Sequence, residues 1–106
     1  MKPNLKILAF FCLAASISVP AFAQGGGADT YKAKCLMCHG ADGLGATPVG
    51  KSFKIVSFKD PSVVNSSNAA MEAIIKSGKN KMPAFAGKLT DAQISAVVEY
   101  IRTLQK

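Results

Sequence analysis

Hydrophobic and polar positions alternate with a helical period in three stretches of the chain and lose any period between them. Ile94, Val97, Val98, Ile101 and Leu104 recur at the spacing of one helix face. Ahead of them, Thr90 with Gln93 makes a capping box, and Leu89 against Ile94 makes a hydrophobic staple. Upstream, Asn68 can cap a helix from Ala69 to Ser77, with Glu72 near its positive end, Met71, Ile74 and Ile75 on one face, Lys76 in the last turn and Gly78 as the stop. A first, short helix follows Asp29 or Thr30 and sets Tyr31, Cys35 and Cys38 at i, i+4 and i+7. With no alternating strand pattern, hairpin signal or internal repeat, these stretches predict an all-α domain of three main helices.

The intervening segments are long for so small a chain. Gly40, Gly43, Gly45, Pro48 and Gly50 punctuate one half of the segment from Gly40 to Ser67, and Pro61 with Asn65-Ser66-Ser67-Asn68 closes the other. A structureless connection longer than about 12 to 15 residues is uncommon in a compact domain, so this one is expected to pack on something other than protein. Leu44, Val49, Phe53, Ile55, Val56 and Phe58 need such a surface. A second loop runs from Lys79 to Phe85, where Pro83 biases Met82 away from helix.

Composition narrows the class. At 106 residues, there is room for one modest domain and none for a large α/β enzyme. Residues 1–23 read as a cleaved signal peptide: Lys2 and Lys6 lead, Ile7 to Val19 is nearly all apolar, and Ala21-Phe22-Ala23 ends it. That apolar run is shorter than the roughly 20 residues a membrane-spanning helix needs. Cleavage would place the protein in the periplasm or otherwise outside the cytoplasm, soluble and without stable membrane insertion. Residues 24–28, rich in glycine, read as a flexible lead, and 29–106 as the domain. Losing Lys2 and Lys6 takes the net charge from +7 to +5. Nothing suggests nucleic-acid binding, because the charge is modest and no recognition motif is present.

Cys12 leaves with the leader, so Cys35 and Cys38 remain. A disulfide closing so small a loop constrains the unfolded chain little and could not staple a small core. Cys35-Leu36-Met37-Cys38-His39 is instead a C-x-x-C-H motif, the pattern of covalent c-type haem attachment. Two thiols at this spacing add across two vinyl groups of one porphyrin, and the following His ligates the iron. A thioredoxin-like pair would want a βαβ context, and a zinc site would need further Cys or His. One covalent haem c supplies the missing core, with the loop's apolar side chains as its wall.

Only one His is present, so a second axial ligand from this chain is sought among the methionines. Met37 sits inside the attachment loop, and Met71 lies early in an amphipathic helix, where Met is commonly a flexible filler. Met82, on a loop ahead of Pro83, is far enough from His39 in sequence to reach the opposite side. His39 and Met82 are therefore the expected iron ligands.

The runs CLMCHGADG (Cys35 to Gly43), GKNKMPAF (Gly78 to Phe85) and LTDAQISAVVEYIRTL (Leu89 to Leu104) resemble small class I cytochromes c, above all the plastocyanin-replacing photosynthetic kind and its bacterial relatives. The resemblance implies the cytochrome c fold, with first and last helices crossing. Gly27 and Tyr31 stand at the family's spacing before the first Cys, and Tyr100 matches its aromatic on the last helix. It further implies that a proline carbonyl, here matched to Pro48, accepts the proximal imidazole N–H.

With both axial positions taken, oxygen activation and peroxidase chemistry are disfavoured, and a one-electron carrier between redox complexes is expected rather than an enzyme. Phe53, Phe58 and Phe85 would line a low-dielectric pocket favouring ferrous iron. The rivals are a haem subunit held in a dehydrogenase or oxidase complex, and a ligand-binding sensor from which Met82 dissociates. Lys76, Lys79, Lys81 and Lys88, with Lys51 and Lys54, are either a solvated surface or a docking rim for an acidic redox partner of a monomeric carrier.

Overall fold

The computed structural model describes residues 26–106; the expected leader lies outside them. The elements are α1 (Gly27–Lys34), α2 (Leu36–His39), α3 (Pro48–Ser52), α4 (Pro61–Val64), α5 (Asn68–Ser77) and α6 (Asp91–Leu104). Among the described residues the only β pairing is two isolated bridges. The fold is all-α, as the periodicity predicts.

Helix α6 forms as its cap sequence dictates. The Thr90 hydroxyl accepts the Gln93 N–H at 3.1 Å, and the Gln93 amide oxygen accepts the Thr90 N–H at 2.8 Å. Both staple residues, Leu89 and Ile94, are buried. Helix α5 begins one residue before the expected position, because Ser67 rather than Asn68 supplies the capping oxygen. Helix α1 begins at Gly27 without a side-chain cap, earlier than the expected Asp29 or Thr30, and Asp29 falls in its first turn against the positive end of the helix dipole. The start is set by packing: Gly27 lies against the backbone of α6 at Ala96, where the two helices meet.

The long segment after His39 is less irregular than its composition suggests. Two short helices interrupt it, each opened by a proline at the first helical position behind a capping side chain. The Thr47 hydroxyl accepts from Gly50 N–H at 2.9 Å, and the Asp60 carboxylate accepts from Ser62 N–H at 2.9 Å. These prolines start helices where the sequence reading had them only as loop punctuation.

The core is made by Tyr31, Met71, Ile75, Ile94, Val97, Val98 and Ile101, with Phe58, Phe85 and Leu89 at its margins. Tyr31 packs its ring 5.2 Å from that of Tyr100, tying α1 to α6. Its hydroxyl donates to the Gly40 carbonyl at 2.6 Å, and burial raises its pKa well above the ordinary phenol value.

Candidate functional site

The C-x-x-C-H run sits where α1 passes into α2. Cys35 interrupts the helix while continuing its bonding: its N–H donates to Tyr31 at 2.8 Å, and its carbonyl accepts from His39 N–H at 3.0 Å. The junction is fixed from outside by Thr47, whose hydroxyl donates to the Cys38 carbonyl at 2.9 Å.

Both thiols are free and half-buried. Burial, reinforced by the neighbouring Cys38, pushes the Cys35 thiol up to about 11. Among the described residues no group of three or more His, Cys, Asp and Glu is placed to hold a metal ion, which weighs against the zinc reading. Burial holds the His39 imidazole below its usual range, hence neutral with a lone pair to offer. Its Nδ1 is buried and has no hydrogen-bond partner, the Pro48 carbonyl included; Pro48 serves as the first residue of α3.

The methionines differ sharply in setting. Met37 is 74% exposed, Met71 is buried in the core, and Met82 is half-buried at its edge. Met82 is held in a tight turn by two reciprocal bonds with Lys79: its N–H donates to the Lys79 carbonyl at 2.9 Å, and its carbonyl accepts the Lys79 N–H at 3.1 Å. Asn80 takes the left-handed conformation this turn requires, φ 54°. The chain after it is pinned to α5 by Phe85 N–H to the Ile75 carbonyl at 2.9 Å.

Leu44, Phe53, Val56 and Ile74 present apolar surface that no polypeptide covers. Two free thiols, a neutral imidazole beside them, a half-buried thioether and uncovered apolar side chains are together the donor set and wall that a haem requires. The residues present therefore fit that group.

Three features escaped the sequence reading. The Phe58 ring stacks on His39 with centroids 4.6 Å apart. Lys81 places its ammonium 5.2 Å from the Phe53 ring centroid, joining the Met82 loop to the segment after α3. Arg102, on the last turn of α6, donates to the carbonyls of Val63 at 3.4 Å, Val64 at 3.3 Å and Ser66, and to Asn68 Oδ1 at 2.9 Å, gathering the link between α4 and α5. Only Arg102 left a sequence signal, as a C-terminal cation on an otherwise well-patterned helix.

Known proteins resemble this chain over most of its length. Residues 23–101 match the family described as "Cytochrome C oxidase, cbb3-type, subunit III". The chain is 37% identical over 105 residues to cytochrome c6 of a Synechococcus species, covering 95% of this chain and 91% of that one. The chain belongs to the class I c-type cytochromes. Among solved structures, the KustC0563 c-type cytochrome superposes with a TM-score of 0.70 at 29% identity, covering 76% of this chain and 99% of its own. Cytochrome c6 of the diatom Phaeodactylum tricornutum does so at 0.58 and 27%, covering 76% and 92%. As a c-type cytochrome related to cytochrome c6, the chain carries one covalently attached haem c and serves electron transport. Cys35 and Cys38 stand in its attachment motif. No helix among the described residues is long and apolar enough to cross a membrane.

Proposed function

We propose that this cytochrome is an exported, soluble, monomeric one-electron carrier, not an enzyme, with its iron held by His39 and Met82. The observation that carries the reading is the contrast among the described methionines: Met37 is exposed and Met71 lies in the core, while Met82 is half-buried at the core's edge, in a loop whose Lys81 meets the exposed Phe53 ring. The haem iron supplies the one-electron chemistry, passing between ferrous and ferric forms. Cys35 and Cys38 hold the macrocycle through thioether bonds, each S–H adding across one vinyl C=C. His39 offers its lone pair from a site where burial keeps the ring neutral. The soft Met82 thioether favours the ferrous form and so raises the potential. Phe53 and Phe85 exclude water, which acts in the same direction.

The exposed Lys79, Lys81, Lys88, Lys51 and Lys54 form a docking rim for an acidic redox partner. Lys76 contributes less, because its ammonium pairs with Asp91 at 3.1 Å. The reading includes removal of residues 1–23 and work in the periplasm. The alternative is a haem subunit held in a dehydrogenase or oxidase complex; the description of the matching family names an oxidase subunit.

Intact-mass analysis of exported protein should give a chain beginning at Gln24 plus one haem that survives acid extraction. The ferrous spectrum should not change on adding carbon monoxide, and the protein should elute as a free monomer. Ready carbon monoxide binding would sink the two-ligand reading, and co-elution with membrane oxidase components would favour the subunit.

A further inference from the structure

The geometry points to the Tyr31 hydroxyl as a group that fixes the backbone behind His39 and tunes the haem site, a task separate from the packing of its ring. The ring by itself serves the fold: it is buried, lies 5.2 Å from the Tyr100 ring and meets the Phe58 ring edge-on at 6.3 Å. A phenylalanine would make all of these contacts. The oxygen is surplus to them, and it is engaged in one bond, a 2.6 Å donation to the carbonyl of Gly40, the residue directly after His39.

That carbonyl stands at the C-terminal end of α2, where the last carbonyls of a helix have no partner within it. Here each is taken from outside the helix. The Cys38 carbonyl accepts from the Thr47 hydroxyl at 2.9 Å and the His39 carbonyl from Gly45 N–H at 2.8 Å. The buried Gly40 carbonyl accepts from Gly43 N–H at 3.2 Å as well as from Tyr31. Gly40 and Gly43 both take positive φ, 82° and 75°, so the turn that leads the chain away from His39 uses backbone that few other residues adopt. Thr47, Gly45 and Gly43 all belong to the segment after α2. Tyr31 alone reaches this turn from α1, and so ties the peptide behind His39 to the core at the α1–α6 crossing.

The proposal rests on His39 being an iron ligand, and it concerns the field around that ligand rather than its identity. A carbonyl oxygen carries partial negative charge, which favours ferric iron; an O–H dipole aimed at that oxygen offsets the charge and favours the ferrous form. Hydrogen bonding of this kind, one step removed from the ligands, is a lever on haem potential. Without the hydroxyl, the buried Gly40 carbonyl keeps only its long bond to Gly43, and its uncompensated charge, or water drawn to it, acts toward the ferric side.

The test uses the haem-loaded protein and three variants. Tyr31→Phe deletes the hydroxyl and keeps the ring, Tyr100→Phe deletes the hydroxyl of the neighbouring ring, and Val97→Ala is a core-packing control. Tyr31→Phe should lower the midpoint potential, and in amide hydrogen exchange it should speed Gly43 and Gly45 by a larger factor than the amides of α6. Tyr100→Phe should leave the midpoint and those two amides at the parent values. Val97→Ala should lower the melting temperature without moving the midpoint.

A midpoint that stays or rises in Tyr31→Phe overturns the proposal, whatever that variant's stability, and leaves Tyr31 as a packing residue only. An equal fall in Tyr100→Phe overturns it as well, because the effect would then belong to aromatic hydroxyls in general. Failure of the underlying reading looks different: the parent protein itself would then lack the low-spin spectrum of a histidine-ligated haem.

Discussion

Gly27 rests directly on the carbonyl of Ala96, and a β-carbon on it would enter that oxygen's van der Waals shell and come within 3.2 Å of Tyr100 Cβ. The first and last helices cross at this point, and neither has a flexible side chain there to yield. Gly27→Ala must push them apart at a site where the rest of the core is closely packed. Forced repacking of this kind costs about 1–3 kcal/mol. Thermal unfolding should register it as a fall of roughly 4–8 °C for each kcal/mol in a domain of this size. An unchanged midpoint would mean that the crossing has room for a methyl group.

The Met82 assignment makes a prediction about potential. Met82→His should keep a six-coordinate iron while lowering the midpoint, because imidazole donates more strongly than a thioether to ferric iron. Met71→Leu, a swap of similar volume in the buried core, should cost under about 1.5 kcal/mol and leave the near-infrared charge-transfer band of the ferric protein intact. Disappearance of that band in the Met71 variant would reassign the ligand.

Arg102 should prove a structural residue out of proportion to its partial exposure. Its guanidinium serves the carbonyls of Val63, Val64 and Ser66 as well as Asn68, a fan that an ammonium cannot reproduce. Arg102→Lys should therefore destabilise by about 1–3 kcal/mol in denaturant titration, comparable to losing a hydrogen bond to a charged group. A loss indistinguishable from zero would place the fan in solvent.

Charge reversal at Lys79 and Lys88 should weaken the salt dependence of electron transfer with an acidic partner. Both are exposed, and Lys79 stands next to the Met82 turn. Screening sets in over roughly 10 Å at 0.1 M salt, so the parent second-order rate should fall steeply as salt rises from low to moderate. Reversal at Lys32 and Lys34, on α1, should matter less. Equal flattening by both pairs would leave only net charge, and the rim would be dropped.

Much of this architecture was legible because its signals are local. A capping box, a staple and a 3.6-residue period lie within a few residues of one another, and so does the attachment motif. The two proline-initiated helices were also local, yet glycine and proline around them masked Thr47 and Asp60 as caps. What could not be read was whatever joins distant segments. Phe58 reaches His39, Gln105 reaches Phe58 and Arg102 reaches the link before α5 only once the chain is folded. Side chains of this kind carry no periodicity, and an exposed loop phenylalanine reads the same as one stacked on a histidine.

The paired hydrogen bonds between Lys79 and Met82 also close that turn on itself. Both peptide groups of the closing residues are used within the turn, so Lys79, Asn80, Lys81 and Met82 can swing outward together after Lys81 leaves the Phe53 ring, with the α1–α6 crossing undisturbed. Such an excursion exposes few buried apolar contacts and therefore lies well below the free energy of global unfolding. In amide hydrogen exchange, the Phe85 and Ala86 protons, bonded to α5, would then outlast those of Lys79 and Met82. With Met82 as the proposed iron ligand, ligand exchange would be timed by this four-residue turn rather than by the stability of the whole domain.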